Sequence, residues 1–335
     1  NLGGMLFGRL ISAFFGSAFM SVASGTISDV FEMDHLGLPM AIYSVTPFLA
    51  PSLGPLVSGF VADSNADYRW VFYSGLIFTG VLMAAIVLLI PETYVPVLLI
   101  RKAKALREKT GDSRFYAPQE KNPLTLFQSV ILSSKRPMLL ILRDPMILTL
   151  DIYSGLILAI VYLFFVSFPY TFKTVWGFGL SAQGLSFLGL LTGMLLSLGF
   201  QPIFTKLYHK AIANNNNIAK PEFRFPILMF GGLILPISLF IMSWVCYPNL
   251  HWIGMIIVSA VYGIGTCLAF AGIFTYTVQA YKLYAASAIA SNSFVRSFMA
   301  GAFPLFGLQM YEALGVHWAL SLIHISEPTR LDVIS

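Results

Sequence analysis

The stretch Ala50-Pro-Ser-Leu-Gly-Pro-Leu-Val-Ser-Gly59 lies inside a run of residues apolar enough to cross a bilayer. Ala50, Gly54 and Ser58 recur every four residues, and so do Pro47, Pro51 and Pro55. On a helix the first set leaves one stripe almost without side chains, which lets a neighbouring backbone come close. The adjacent proline stripe removes backbone donors and favours bending. A helix that packs tightly and bends in lipid suits a moving protein better than a rigid anchor, although a plain packing helix meets the same spacing. Contact with another span through Ala50, Gly54 or Ser58 is the expectation.

Outward from that stretch the composition is that of a membrane protein. Hydrophobic residues make up 57% of the 335 residues and charged ones 10%, far from the balance of a soluble domain. About 20 apolar residues span the hydrocarbon as a helix. Eight such runs are present, near residues 2–26, 37–61, 70–90, 146–170, 181–203, 226–246, 252–277 and 286–310, and a ninth begins near Trp318. The expected fold class is all-α, a polytopic transmembrane helical bundle, hence an integral, multi-pass membrane protein with the lipid bilayer as its surroundings.

Lys and Arg decide which loops face the cytosol. The loops near 91–145, 204–225 and 279–286 hold ten, four and one of them, whereas those near 62–69 and 171–180 offer only Arg69 and Lys173. The long connection after the third run is therefore cytosolic, and the runs alternate from there. The net charge of +5 reflects this sidedness and gives no reason to invoke nucleic acid. Cys246 and Cys267 sit inside apolar runs, and no Cys–His group has metal-ligand spacing. Neither a disulfide framework, a metal nor a cofactor is expected.

Asn1 already stands at the edge of a span, and no cleavable signal peptide is visible, which points to a fragment. At the far end, Leu320-Ser-Leu-Ile-His-Ile-Ser-Glu-Pro-Thr-Arg330 breaks the apolar pattern and is similar to the translation of a transposase adapter used in sequencing libraries. Residues 320–335 are expected to lie outside the fold as an adapter-derived artefact, with His324 and Glu327 carrying no function.

The order Ala41, eight residues, Ala50, three residues, Gly54-Pro55, two residues, Ser58-Gly59 resembles the antiporter motif on the fifth helix of drug:proton antiporters of the major facilitator superfamily, with small residues where the motif has glycine at Ala41, Ala50 and Ser58. Pro91-Glu-Thr-Tyr-Val-Pro-Val-Leu-Leu, followed by Lys102-Ala-Lys-Ala-Leu-Arg107, resembles the end of the sixth helix in fungal members of that group. Thr110-Gly-Asp-Ser-Arg-Phe-Tyr-Ala-Pro118 is similar to the central loop of their polyamine and multidrug branch. Further similar stretches are Arg143-Asp-Pro145, Tyr162-Leu-Phe-Phe165, Pro221-Glu-Phe-Arg224, Tyr284-Ala-Ala-Ser-Ala288 and Ala302-Phe-Pro-Leu-Phe306. The resemblance implies a partial major facilitator fold covering helices four to eleven of twelve. Residues 1–90 would form part of the N-terminal bundle, 91–145 the cytosolic central loop, and 146–319 the C-terminal bundle of five spans and the start of a sixth.

Charge inside a membrane costs about 2.5–3.5 kcal/mol at mid-helix on insertion scales and is usually kept for function or paired. Arg9, in Arg9-Leu-Ile-Ser-Ala-Phe-Phe-Gly16, is similar to the family's fourth-helix arginine, which the resemblance associates with proton coupling; snorkelling to the headgroups is the alternative. Asp151 is the acidic residue well inside a span, sharing a face with Gly155, Ala159 and Tyr162. It is a second coupling candidate, able to take up a proton or hold an amine, or else to cap its helix or pair with Arg143. Arg296, with Asn292 one turn away, is a cavity candidate or a structural pair with another helix. Tyr162 and Phe165 on one span, and Tyr262, Phe270 and Phe274 on another, are candidates for an aromatic cavity wall that attracts flat or cationic ligands. Gly263, Gly265 and Gly272 mark that second helix as one able to flex. Asp29, Arg143, Asp144, Glu222 and Arg224 stand at cytosolic edges as gate candidates.

The function these features and the resemblance imply is secondary active transport by alternating access around a central chamber. The expected activity is proton-coupled export of polyamines, organic cations or drugs by a monomer, whose partners are a small-molecule substrate and protons, in the plasma or the vacuolar membrane. A facilitator or sugar-type porter of the same fold, or a fragment without activity of its own, are the alternatives. An enzyme is not expected, since the spans carry no His/Glu metal motif, no paired carboxylates and no phosphate-cradling loop.

Overall fold

The computed structural model describes residues 2–32, 35–64, 67–112, 114–121 and 126–326, and all regular structure among them is helical. Three long helices come first: α1 (Leu2–Val30), α2 (Gly37–Asp63) and α3 (Arg69–Leu89). The connector holds α4 (Val95–Thr110), the single turn α5 (Pro118–Lys121) and α6 (Leu126–Arg143). The second bundle comprises α7 (Pro145–Trp176), the short α8 (Leu180–Leu185), α9 (Leu188–Asn214), α10 (Phe225–Val245), α11 (Ile253–Tyr281) and α12 (Ala285–Ser326), with Pro221–Arg224 a 3₁₀ turn before α10. Each of the eight apolar runs is thus helical, the fifth of them, 181–203, being divided between α8 and α9. Among the described residues, six segments, over residues 37–63, 69–89, 145–176, 180–214, 221–245 and 253–281, are long and apolar enough to cross a membrane.

Local chemistry sets the helix ends. Asp144 caps α7, its Oδ1 accepting from the Met146 and Ile147 amides at 3.0 and 3.4 Å, and Pro145 fills the first helical position, where no amide is needed. Gly177 closes α7 at φ 68°, a left-handed conformation in which a side chain is strained. In the connector, Gly111 ends α4 the same way, and Arg107 grips Glu120 with both guanidinium nitrogens at 3.1 and 2.8 Å. That pairing holds the half-buried Glu120 carboxyl below the usual carboxylate range.

Small residues bring the helices of the second bundle together. A Cβ on Gly193 of α9 would collide with the Ala260 carbonyl of α11, and one on Gly263 of α11 would lie 2.6 Å from the Leu190 carbonyl. A Cβ on Gly231 of α10 would lie 2.6 Å from Ala269 N, and one on Gly272 of α11 would lie 2.8 Å from Leu228 Cβ. Backbones in such contact gain the close packing that holds helices together in lipid. Gly263, Gly265 and Gly272 seat α11 against α9 and α10, and α11 runs unbroken from Ile253 to Tyr281. Phe164, Phe168, Phe172, Phe187, Tyr262, Phe270 and Phe274 fill the core between these helices.

Two differences concern the ends. Gly315 (φ 73°, ψ 163°) breaks α12 near the expected start of a ninth span, and the helix resumes to Ser326. Leu320 is fully buried in the core, so the fold takes in the first residue of the stretch assigned to an artefact; residues 327–335, Glu327 with them, lie outside the described residues.

Candidate functional site

The site grows from three positions on α7. Asp151, Ser154 and Gly155 stand three and four residues apart, so they share a face. Asp151 lies about 9 Å along the axis from the capped start of α7. Helix α12 begins at the same end and runs beside α7 in parallel register. Asn292 Nδ2 donates to Asp151 Oδ1 at 3.1 Å and to Ser154 Oγ at 2.6 Å. One turn further, a Cβ on Gly155 would be 3.5 Å from Arg296 Cα and 2.5 Å from Met299 Sδ, so the missing side chain at 155 lets the Arg296 backbone approach. Asp151, Asn292 and Arg296 are 2%, 2% and 3% exposed, which makes this a polar cluster walled off inside the bundle.

Arg296 is placed by rings as much as by charge. Its Cζ lies 5.4 Å from the Phe270 ring centroid and 5.5 Å from that of Phe274, within cation–π range. Asp151, Tyr43 and Tyr162 are within electrostatic reach of the guanidinium. Among the described residues, no carboxylate comes within 4 Å of it. Asp151 Oδ2, Asn292 Oδ1, Ser293 Oγ and Arg296 Nε are buried without a hydrogen-bond partner. Leaving such groups unsatisfied costs about 1–3 kcal/mol each, more when they are charged, so their capacity is available to a proton, a water or a ligand.

The opposite wall belongs to α2. Phe48 packs on Phe270 with centroids 5.0 Å apart, and Tyr43 on Phe274 at 5.6 Å. The hollow expected between the first helices and the later ones is, along α2, filled by these rings. The seat continues to both helix ends. At the C-terminal end of α2 a Cβ on Gly59 would lie 2.8 Å from the Leu180 carbonyl, one on Gly184 of α8 would lie 2.5 Å from the Pro55 carbonyl, and Ser181 Oγ donates to Asp63 Oδ2. At the N-terminal end of α2 Gly37 abuts Arg224, whose guanidinium lies 3.6 Å from the centroid of the Tyr208 ring. A narrow cleft there is lined by Gly37, Gln201, Tyr208, Phe223, Arg224 and Thr275.

The sequence candidates therefore divide. Asp151, Asn292, Arg296, Phe270 and Phe274 converge on one site. Tyr162 and Phe165 are half-buried beside it and pack on each other at 5.6 Å, Phe165 also stacking on Phe187. Tyr262 lies apart in the core, edge-on to Phe164, its hydroxyl donating to the Ile157 carbonyl at 3.5 Å. Arg9 is exposed on α1 and does not join Asp151.

Within the antiporter-like stretch, Ala41 and Gly59 are buried and Pro55 touches α8, while Ala50 and Gly54 are exposed, with nothing within 4 Å of a Cβ at Gly54. Ser58 turns its hydroxyl back to the Pro55 carbonyl of its own helix at 3.3 Å. Of the three positions through which contact was expected, Ala50, Gly54 or Ser58, Gly54 faces open space, and the close seat shown by the structure runs through Ala41, Phe48, Ser52, Pro55 and Gly59.

Among the gate candidates, Arg224 meets α2 at Gly37. Asp144 caps α7 and accepts from the Tyr281 hydroxyl, tying α7 to α11 within one bundle. Asp29, Arg143 and Glu222 are exposed. Sequence reasoning missed Ser154, although its spacing from Asp151 marks the shared face, and missed Tyr43 and Phe48, whose role depends on which face α2 turns inward.

The Major Facilitator Superfamily matches residues 1–304 of the chain. The probable drug/proton antiporter YHK8 of Saccharomyces cerevisiae is 48% identical over 318 residues, 94% of this chain and 62% of its own length. Efflux pump atB of Aspergillus terreus is 43% identical over 325 residues, 95% of this chain and 68% of its own. The major facilitator superfamily multidrug transporter mdrA of Aspergillus fumigatus is 35% identical over 317 residues, 94% of this chain and 52% of its own. The chain thus spans between about half and two thirds of the length of these relatives. No solved structure matches it.

Proposed function

The chain belongs to the major facilitator superfamily, and we propose that the full-length protein is a proton-coupled exporter of small organic molecules that works as a monomer by alternating access. The relatives named as efflux pumps and as a drug/proton antiporter support export and proton exchange. The observation that carries the reading is the buried Asp151–Asn292–Ser154 cluster, with Arg296 between aromatic rings, facing the seat of α2. A carboxylate enclosed at that depth is the group on which a proton and a cargo can compete. If cargo occupancy promotes outward opening and protonation promotes inward opening, and the two exclude each other, an inward proton gradient drives cargo out. Helix α2, seated at both ends and along its middle, is the element that must leave the second bundle for either side to open. We assign the protein to the plasma membrane, with the vacuolar membrane as the alternative site of the same exchange. Bond-making chemistry plays no part in this reading; the work is binding, occlusion and release.

The test is efflux from proteoliposomes holding the full-length protein, with and without an imposed pH gradient, for wild type and Asp151→Asn. The expected result is gradient-driven efflux in wild type, and a variant whose residual flux, lower by at least about tenfold, no longer responds to the gradient. A gradient response unchanged in Asp151→Asn would remove Asp151 from coupling, and gradient-independent flux in wild type would remove antiport.

A further inference from the structure

Asp151, Arg224 and Arg296 are the buried charged side chains among the described residues, and Arg224 sits at the N-terminal end of α2, away from the cluster. The cluster beneath the rings therefore holds one carboxylate and one guanidinium. With Asp151 ionised its fixed charge is zero; with Asp151 protonated it is +1. A singly charged cation bound beside ionised Asp151 also brings the total to +1. In charge, then, the proton and a monocation are interchangeable occupants, and each excludes the other. A di- or trication drives the total to +2 or +3 in a water-poor enclosure where charge is weakly screened.

Resting on the export reading above, we infer that Arg296 is a charge filter, which admits neutral or singly cationic aromatic molecules, one proton per cation, and rejects polyamines. The ring wall fits that cargo. Phe270 and Phe274 flank the guanidinium, with Phe48 and Tyr43 of α2 stacked behind them, and aromatic faces hold flat and cationic ligands. Arg296 has one fixed place in this arrangement, because Gly155 admits its backbone and the rings hold its head. Discrimination of this kind comes from an interaction made unfavourable for the wrong cargo as well as from contacts to the right one. The polyamine branch resemblance rests on connector residues such as Thr110–Pro118, which lie outside this wall.

The experiment measures gradient-driven transport of three labelled probes by the full-length protein in proteoliposomes: tetraphenylphosphonium, spermidine and benzoate. Wild type is expected to carry tetraphenylphosphonium at least about tenfold faster than spermidine or benzoate. Arg296→Gln is expected to narrow the spermidine deficit by about tenfold, while Arg296→Lys, which keeps the charge, restores the wild-type ratio. Spermidine carried as fast as the monocation by wild type, benzoate preferred over both, or an Arg296→Gln ratio equal to that of wild type overturns the filter. Should Arg296→Gln fail to fold, the wild-type ratios alone decide between these results. Flux of no probe at all removes the export reading itself, and the filter with it.

Discussion

Asn292 is the donor on which the buried cluster is organised, since its amide bonds both Asp151 Oδ1 and Ser154 Oγ. Asn292→Ala leaves a carboxylate oxygen and a hydroxyl without that donor. The expected loss is about 1.5–3 kcal/mol in the state that uses the bond, or roughly ten- to a hundredfold in transport rate. Asn292→Asp places a second carboxylate against Asp151, and the pH profile of efflux should shift, because two carboxylates at that distance do not both ionise readily. A profile unmoved in both variants would show that Asn292 only packs. At this scale Asp151, Asn292 and Arg296 were legible because polar residues inside apolar runs are costly and so conspicuous. Ser154, Tyr43 and Phe48 were not, since serine and aromatic residues are common in spans and only the tertiary fold selects the faces that meet.

Among the elements, the close seats of α9 on α11 and of α2 on α8 depend on glycines that tolerate no side chain. Gly193→Val drives a branched side chain into the Ala260 carbonyl, and a loss of at least about 3 kcal/mol, seen as little folded protein in detergent, is expected. Gly54→Val is the control within this chain, with open space at its Cβ, and its melting midpoint should stay within about 2 °C of wild type. The reverse ranking would mean that α2 and α9 are packed on other faces. The long helices were readable from apolar runs, and α7 also from Asp144-Pro145 at its start. The break between α8 and α9 was not, because both pieces lie in one apolar run and the interruption arises where α8 turns to meet Gly59. The inward face of α2 was misjudged for a related reason. Small residues lie on two sides of that helix, and spacing alone does not say which side meets a partner.

Taken whole, the molecule is a second bundle of tightly seated helices with α2 laid against it from Gly37 at one end to Asp63 at the other. The membrane class and the number of long helices were visible in composition, and the basic character of the connector in its charge. The closed seat of α2 was not, because a chamber that opens and shuts leaves no periodic mark in the residues lining it. A carrier requires that seat to part. The most direct measurement joins it at the C-terminal end of α2, where Ser181 bonds Asp63 and both positions are accessible. Full-length protein carrying Asp63→Cys and Ser181→Cys, with any cysteine outside this chain replaced by serine, is treated with a short bifunctional thiol reagent; Cys246 and Cys267 of this chain are buried. Crosslinked protein is predicted to lose at least about tenfold in gradient-driven efflux relative to the same variant untreated, with the rate returning when a cleavable bridge is reduced. Crosslinked protein that exports at the untreated rate would contradict the account.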